Sequence, residues 1–194
     1  MATTLATAIK AWEAKHGTKA DEAKEIKLCC QIPPIAKMDA KALVPLKDCE
    51  HFSVSTNSID RLASLAGMKS LRVLSIGRNN LKKLEKLDEV ATTLEQLWMS
   101  YNQVTSLEVL TCLTNLEVLY CSNNCIKSFS DLDHLASLPK LRDVLFVGNP
   151  CYECHAKAEA RLRVLQHLPQ VTKIDGEMVK PAEIDEALKL GNAA

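Results

Sequence analysis

Apolar residues recur along most of the chain in one fixed arrangement. In residues 71–81, aliphatic side chains stand at Leu71, Leu74, Ile76 and Leu81, and Asn79 stands between the last two. The arrangement returns once upstream and three times downstream, with leucine, valine, isoleucine, methionine, phenylalanine or cysteine at the apolar positions. Its asparagines are Asn57, Asn79, Asn102, Asn124 and Asn149, which lie 22, 23, 22 and 25 residues apart. Five copies in register predict a structure of stacked repeats.

Each copy predicts a short strand, a turn and an outer segment. Leu74 and Ile76 alternate with Ser75 and Gly77, which is the pattern of a strand with one buried face. The five asparagines then lie in the turns, where each amide is expected to bond to buried backbone groups and so form a structural ladder. After the turn, apolar residues return at every third position, a spacing that fits 3₁₀ turns better than an α-helix. One such run is Leu107, Leu110, Leu113 and Leu116.

No single copy can bury its own apolar face, so the copies are expected to stack into a leucine-rich-repeat solenoid. The predicted fold class is an α/β solenoid, a right-handed superhelix with a parallel concave sheet, short helices on the outer side and helical caps. Apolar residues at helical spacing predict helices at both ends. The expected organisation is an N-terminal helical cap in residues 1–24, a solenoid with its C-terminal cap in residues 25–176, and a C-terminal helical tail in residues 177–194.

The side chains predicted to face outward from the strands change character along the stack. The first outward position is filled by Lys27, Ser53, Ser75, Trp98, Tyr120 and Leu145, and the second by Cys29, Ser55, Gly77, Ser100, Ser122 and Val147. The first half is therefore small and polar, whereas the second half is aromatic or aliphatic. Tyrosine, tryptophan and arginine most often dominate binding energy. We therefore expect a partner-binding site made of Arg78, Trp98, Tyr101, Tyr120, Leu145 and Val147.

The charge and hydrophobicity of the chain restrict the classes of partner that we expect. The chain has 24 basic and 24 acidic residues, without the basic excess that nucleic-acid binding usually requires. No apolar stretch approaches the roughly 20 residues of a membrane-spanning helix, and the first residues do not resemble a signal peptide. We therefore expect a soluble intracellular protein that binds neither nucleic acid nor membrane. In that compartment the eight cysteines are expected to be free thiols, with Cys49 and Cys121 packed in the core.

The sequence contains only weak matches to motifs for catalysis or for binding a metal or cofactor. Cys151-Tyr152-Glu153-Cys154-His155 matches the C-x-x-C-H pattern of c-type haem attachment, but it follows a repeat turn in a chain with no export signal. Zinc prefers four closed ligands, and no second C-x-x-C is present. Neither a metalloprotease motif, a nucleophile elbow nor a glycine-rich phosphate loop occurs. The expectation is a binding protein with no catalytic residues, cofactor or metal, and a redox or metal protein is the alternative from another class.

Several segments resemble a known family. The repeat spacing and the cap at 168–176 are similar to the SDS22-like class of leucine-rich repeats, and the resemblance to the axonemal dynein light chains within it covers nearly the whole chain. The most specific segments are 32–40 (IPPIAKMDA) and 97–103 (LWMSYNQ). The resemblance implies a subunit of the ciliary outer dynein arm, located in the cytoplasm and axoneme. It implies binding to a dynein heavy chain near the microtubule-binding region, with modulation of the motor, and tubulin as a further candidate partner. An SDS22-like phosphatase-regulatory adaptor is the alternative.

Overall fold

A single sheet of eight short strands runs through the molecule. The computed structural model describes residues 3–191. The strands lie side by side in chain order, and the first seven are parallel, whereas the last pair is antiparallel. They are β1 Glu25–Lys27, β2 His51–Ser53, β3 Val73–Ser75, β4 Gln96–Trp98, β5 Val118–Tyr120, β6 Asp143–Leu145, β7 Lys173–Ile174 and β8 Glu177–Met178. This topology confirms the predicted α/β solenoid.

The repeat leucines form the core because the strands pair without a shift in register. Leu74 pairs with Phe52 on one side and Leu97 on the other, and all three side chains are fully buried. The same column continues through the other parallel strands. Burying one such side chain stabilises the fold by roughly 1.5–3 kcal/mol, so a stack of repeats accumulates the stability that a single repeat lacks.

Short 3₁₀ helices line the outer side, as the spacing of three predicts. They are Asp88–Val90, Glu108–Cys112, Phe129–Leu135 and Pro150–Tyr152, and another, Ala20–Glu22, precedes β1. The longest, Phe129–Leu135, lies in the unit whose asparagine spacing is 25 residues. Between β2 and β3 the chain forms turns without a regular helix, although Leu62, Leu65 and Met68 keep the spacing and are buried.

Helices cover both ends of the stack. Helix α1, Leu5–His16, is capped by the Thr4 hydroxyl at its N-terminus and ends at Gly17, whose φ of 66° is left-handed. A four-residue helix that the sequence did not predict, α2 Ala40–Leu43, begins at the Asp39 cap. At the other end lie α3, Lys157–His167, and α4, Pro181–Gly191. No helix in residues 3–191 is long and apolar enough to cross a membrane.

One buried arginine joins the elements of the C-terminal end. Arg161 on α3 donates from Nη1 to the backbone oxygen of Ile174, at 2.6 Å, and from Nη2 to that of Met178, at 3.3 Å. Its Nε donates to Glu183 Oε1 on α4, at 2.6 Å. This hydrogen bond lowers the pKa of the Glu183 carboxyl below its ordinary value. The pair ties α3, the β7–β8 hairpin and α4 together.

The ladder asparagines bond between successive coils. Asn102 accepts at Oδ1 from the backbone N–H of Leu81, at 3.0 Å, in the preceding coil. Its Nδ2 donates to the backbone oxygens of Ile76, at 3.1 Å, and Met99, at 2.9 Å. Each of the other four asparagines likewise accepts from a backbone N–H of the preceding coil and donates to backbone oxygens of both coils. All are buried except Asn57, which is half-buried.

Candidate functional site

The register of the sheet brings three of the predicted binding residues together. Trp98, Tyr120 and Leu145 occupy paired positions on β4, β5 and β6. The rings of Trp98 and Tyr120 stack with their centroids 6.1 Å apart and their planes at 21°. All three side chains are half-buried on the concave face. We call this row of three side chains, extended by His51 as described next, the aromatic patch.

Trp98 reaches across a whole strand. Its ring lies 5.5 Å from the ring of His51 at an angle of 79°, although β3 separates the strands that carry the two residues. Adjacent strands are about 4.8 Å apart, so the indole must extend over β3. Ser53 and Ser75, which the sequence predicted to face outward on the open face, are only 3% and 8% exposed. Both serines are therefore buried although they occupy outward strand positions, and their hydroxyls form hydrogen bonds with Cys29 and Ser55, respectively.

The indole N–H of Trp98 has no hydrogen-bond partner. Nε1 is buried, and it is the one side-chain nitrogen or oxygen of this kind found within residues 3–191. A buried donor without a partner costs about 1–3 kcal/mol relative to a paired one. Trp98 therefore holds a polar atom that an incoming acceptor can satisfy if the ring shifts.

Charged groups flank the aromatic patch at both ends. Tyr120 donates its hydroxyl proton to Asp143 Oδ2 at 3.2 Å, and Lys173 Nζ donates to the same oxygen at 2.8 Å. Burial and then the nearby carboxylate of Asp143 raise the pKa of Tyr120. At the other end, His51 Nδ1 lies 2.8 Å from Glu25 Oε1. Burial lowers the pKa of His51, so its uncharged form is favoured against Trp98.

Sequence reasoning missed these flanking residues. Glu25, His51, Asp143 and Lys173 occupy the strand position before the buried residue, whereas the predicted site used only positions after it. Side chains two apart in a strand share a face, so the alternation already contained this signal. Which of the flanking residues contact one another is decided by how the strands pair, and this the sequence pattern does not show.

A second group of predicted residues lies at the turns beside the sheet. The guanidinium carbon of Arg78 stands 4.1 Å from the ring centroid of Tyr101, a cation–π geometry. Both residues have left-handed backbone, with φ of 53° and 59°, at the position before a ladder asparagine. Tyr101 is 46% exposed, and so is Val147, two residues beyond Leu145. Within residues 3–191, no aromatic or cation–π contact connects the Arg78–Tyr101 pair with Trp98.

The cysteines are free thiols in varied surroundings. Cys49 and Cys121 are buried, and burial raises the pKa of Cys49 to about 11. Of the two cysteines in the C-x-x-C-H motif, Cys151 is buried, whereas Cys154 is exposed. His155 Nδ1 lies 2.8 Å from Glu159 Oε1. Among the residues the structure describes, no group of three or more histidine, cysteine, aspartate or glutamate side chains could hold a metal ion.

The parallel sheet and its stacked repeats define a leucine-rich-repeat protein. A family model described as Leucine Rich repeats (2 copies) matches residues 92–134. Solved structures with the same fold include a leucine-rich-repeat protein of Leptospira interrogans, with a TM-score of 0.62 and 22% identity, covering 80% of this chain and 37% of that one. An internalin of Listeria monocytogenes has a TM-score of 0.53 and 17% identity, covering 80% and 50%.

Relatives with known names identify the family of this chain more specifically. The chain is 48% identical to Dynein axonemal light chain 1 of Chlamydomonas reinhardtii, over 95% of this chain and 93% of the relative. It is 45% identical to that of Homo sapiens, over 95% and 97%, and 46% identical to that of Mus musculus, over 96% and 98%. The chain therefore belongs to the axonemal dynein light chain 1 family. Membership supports a location in the axoneme of the cilium or flagellum.

Proposed function

We propose that this protein is a non-catalytic subunit of the outer dynein arm that binds a dynein heavy chain through the aromatic patch. Binding of the light chain near the microtubule-binding region of the heavy chain would modulate how the motor engages the microtubule. The observation that carries the proposal is the aromatic patch itself, half-exposed aromatic side chains in a row on a rigid sheet. Such side chains lose little conformational entropy on docking, and aromatic residues supply much of the energy of interfaces. The relatives' name, Dynein axonemal light chain 1, supports dynein as the partner.

The surroundings of the histidine and cysteine side chains also support a binding role rather than a catalytic one. Within residues 3–191, each histidine side chain that contacts another side chain through a ring nitrogen does so with a carboxylate and not with a serine or cysteine. A serine or cysteine nucleophile that histidine activates must lie within hydrogen-bond distance of the histidine ring. The buried thiols of Cys49 and Cys121 have raised pKa values because of their burial, which disfavours the reactive thiolate.

The test is the affinity of purified variants for a heavy-chain fragment that contains the microtubule-binding region, measured by isothermal titration calorimetry. Trp98→Ala and Tyr120→Ala should each weaken binding by about 2 kcal/mol or more, roughly 30-fold. Tyr120→Phe keeps the ring and loses only the hydrogen bond to Asp143, so it should change affinity much less. Trp12→Ala is the matched control, since it removes a half-buried tryptophan from α1 at the N-terminal end.

Circular dichroism must accompany these measurements because Trp98 is half-buried and packs against His51 and Tyr120, so its loss will lower stability. If folded Trp98→Ala and Tyr120→Ala bind as tightly as the unchanged protein, the partner does not sit on the aromatic patch. Co-sedimentation of the fragment with microtubules, with and without the light chain, tests the effect on microtubule affinity. Recovery of a phosphatase catalytic subunit instead of a heavy chain, in pulldowns from ciliated cells, would contradict the dynein proposal.

A further inference from the structure

Two adjoining depressions lie on the segments that follow the first asparagine turns, away from the aromatic patch. Their volumes are about 510 and 360 Å³, and both are lined by Asp60 and Arg61, so they form one continuous trough. The remaining lining residues are Lys37, Met38, Leu62 and Ala63 in one depression, and Asn80, Lys82, Lys83 and Glu85 in the other. We call this surface the basic trough.

The basic trough concentrates positive charge in a chain that carries none overall. Four cationic side chains and two carboxylates line it, whereas the whole chain has a formal net charge of zero. Within residues 3–191, Arg61, Lys82 and Lys83 form no ion pair within 4.0 Å, although carboxylates lie in the same trough. By contrast, Arg72 beside β3 pairs with Glu95 at 2.8 Å, and Lys173 on β7 pairs with Asp143 at 2.8 Å. The trough therefore offers exposed cations that are free to pair with a ligand.

We propose that the basic trough binds an extended acidic peptide. Arg61 and Lys83 hold equivalent positions, four residues after a ladder asparagine, in successive repeats. The cations therefore recur along the solenoid axis at about the strand spacing of 5 Å. In an extended peptide, alternate side chains point the same way and recur every 6–7 Å or so, which lets successive carboxylates reach successive repeats. Met38 and Leu62 provide an apolar floor for the small side chains between them.

The mixture of charges favours a peptide over a phosphate polymer or a lipid surface. Asp60 and Glu85 would repel a continuous line of phosphates, whereas peptide N–H groups can donate to them. The trough has no aromatic side chain on which a base could stack. Asn80 carries an amide that can both donate to and accept from a peptide backbone. Exposed pairs of this kind are individually weak, so the interaction should be salt-sensitive and should require several carboxylates.

The experiment uses the full chain and a fluorescein-labelled peptide of about a dozen residues that alternates glutamate with alanine, with binding measured by fluorescence anisotropy. We expect saturable binding at low salt that weakens as sodium chloride is raised past the point where the screening length falls to about 8 Å. Arg61→Glu combined with Lys83→Glu should weaken binding about tenfold or more, because two attractions become repulsions. The matched control is Lys10→Glu combined with Lys69→Glu, which changes the net charge equally at exposed sites outside the trough.

Equal affinities for the two double variants, with both folded by circular dichroism, would overturn the proposal. So would equal binding of a lysine–alanine peptide by the unchanged protein. Tighter binding of a single-stranded oligonucleotide or of phosphatidylserine vesicles, lost in the Arg61/Lys83 variant, would reassign the trough to a different polyanion. The result is independent of heavy-chain binding at the aromatic patch, because Trp98→Ala should leave the affinity for the acidic peptide unchanged.

Discussion

Replacing Asn102 by alanine should cost more stability than any exposed change in the same repeat. The amide makes three hydrogen bonds, one accepted and two donated, and both of the oxygens that accept from it keep another partner. The backbone oxygen of Ile76 also accepts from Asn79, and that of Met99 also accepts from Asn124. The buried N–H of Leu81 has no other partner among the described residues. Asn102→Ala therefore leaves one buried donor unpaired.

The magnitude follows from that difference. An unpaired buried donor costs about 1–3 kcal/mol, and losing two further bonds whose acceptors keep partners adds about 0.5–1 kcal/mol. The expected loss in the free energy of unfolding is therefore about 1.5–4 kcal/mol. Urea unfolding followed by far-UV circular dichroism measures it, and Lys82→Ala serves as the control because Lys82 is exposed. Equal unfolding midpoints for Asn102→Ala and Lys82→Ala would refute the assignment of the ladder.

The variant Asn102→Asp sharpens the test. The carboxylate still accepts from the backbone N–H of Leu81. Its second oxygen, however, takes the place of the amide nitrogen and faces the carbonyl oxygens of Ile76 and Met99, which accepted hydrogen bonds from that nitrogen. Burial and these carbonyls should raise the folded-state pKa of the new carboxyl above its unfolded value. Stability should therefore improve as the pH falls through the folded pKa, because the folded state then binds the extra proton. A loss of stability that does not depend on pH would contradict this account.

Three further predictions concern packing, charge and thiol chemistry. Gly67→Ala should cost about 1–3 kcal/mol, because its Cβ would lie 2.6 Å from the backbone after α2, whereas Gly17→Ala meets open space and should cost only about 1 kcal/mol of left-handed strain. Glu183 should stabilise the protein above pH 4.5, its ordinary pKa, and this contribution should be lost as the pH falls through the lowered folded pKa, since Arg161 favours the charged form. Cys121 should resist alkylation in the folded protein, because burial raises the pKa of its thiol.

Thermal melts of the two glycine variants check the packing prediction, and a Gly67→Ala variant that melts at the same temperature as the unchanged protein would contradict the predicted clash. For the second, melts of the unchanged protein and Glu183→Gln across the acid range should converge as the pH falls, and a constant difference would show that the carboxylate does not act through its charge. For the third, mass spectrometry after iodoacetamide should find Cys154 modified before Cys121. The reverse order would mean that the core opens readily.

The sequence by itself determined the repeat, the strand that each repeat contains, the places of the five asparagines and the existence of helices at both ends. The physical reason is that these features depend on local period. A side chain's position within the repeat decides whether it faces the core, whatever the other repeats contain. The 3₁₀ segments of the outer side follow from the same logic, since a period of three suits a tighter helix.

Only the tertiary structure decided how residues of different repeats meet. No pattern along the chain shows that Trp98 extends over β3 to His51, that Ser53 and Ser75 are buried, or that Arg161 is buried against Glu183. These outcomes depend on side-chain length, on the space that a small neighbour leaves, and on which strands pair. The concave face is therefore a collective product of stacked repeats, and its chemistry emerges only when the coils are placed side by side.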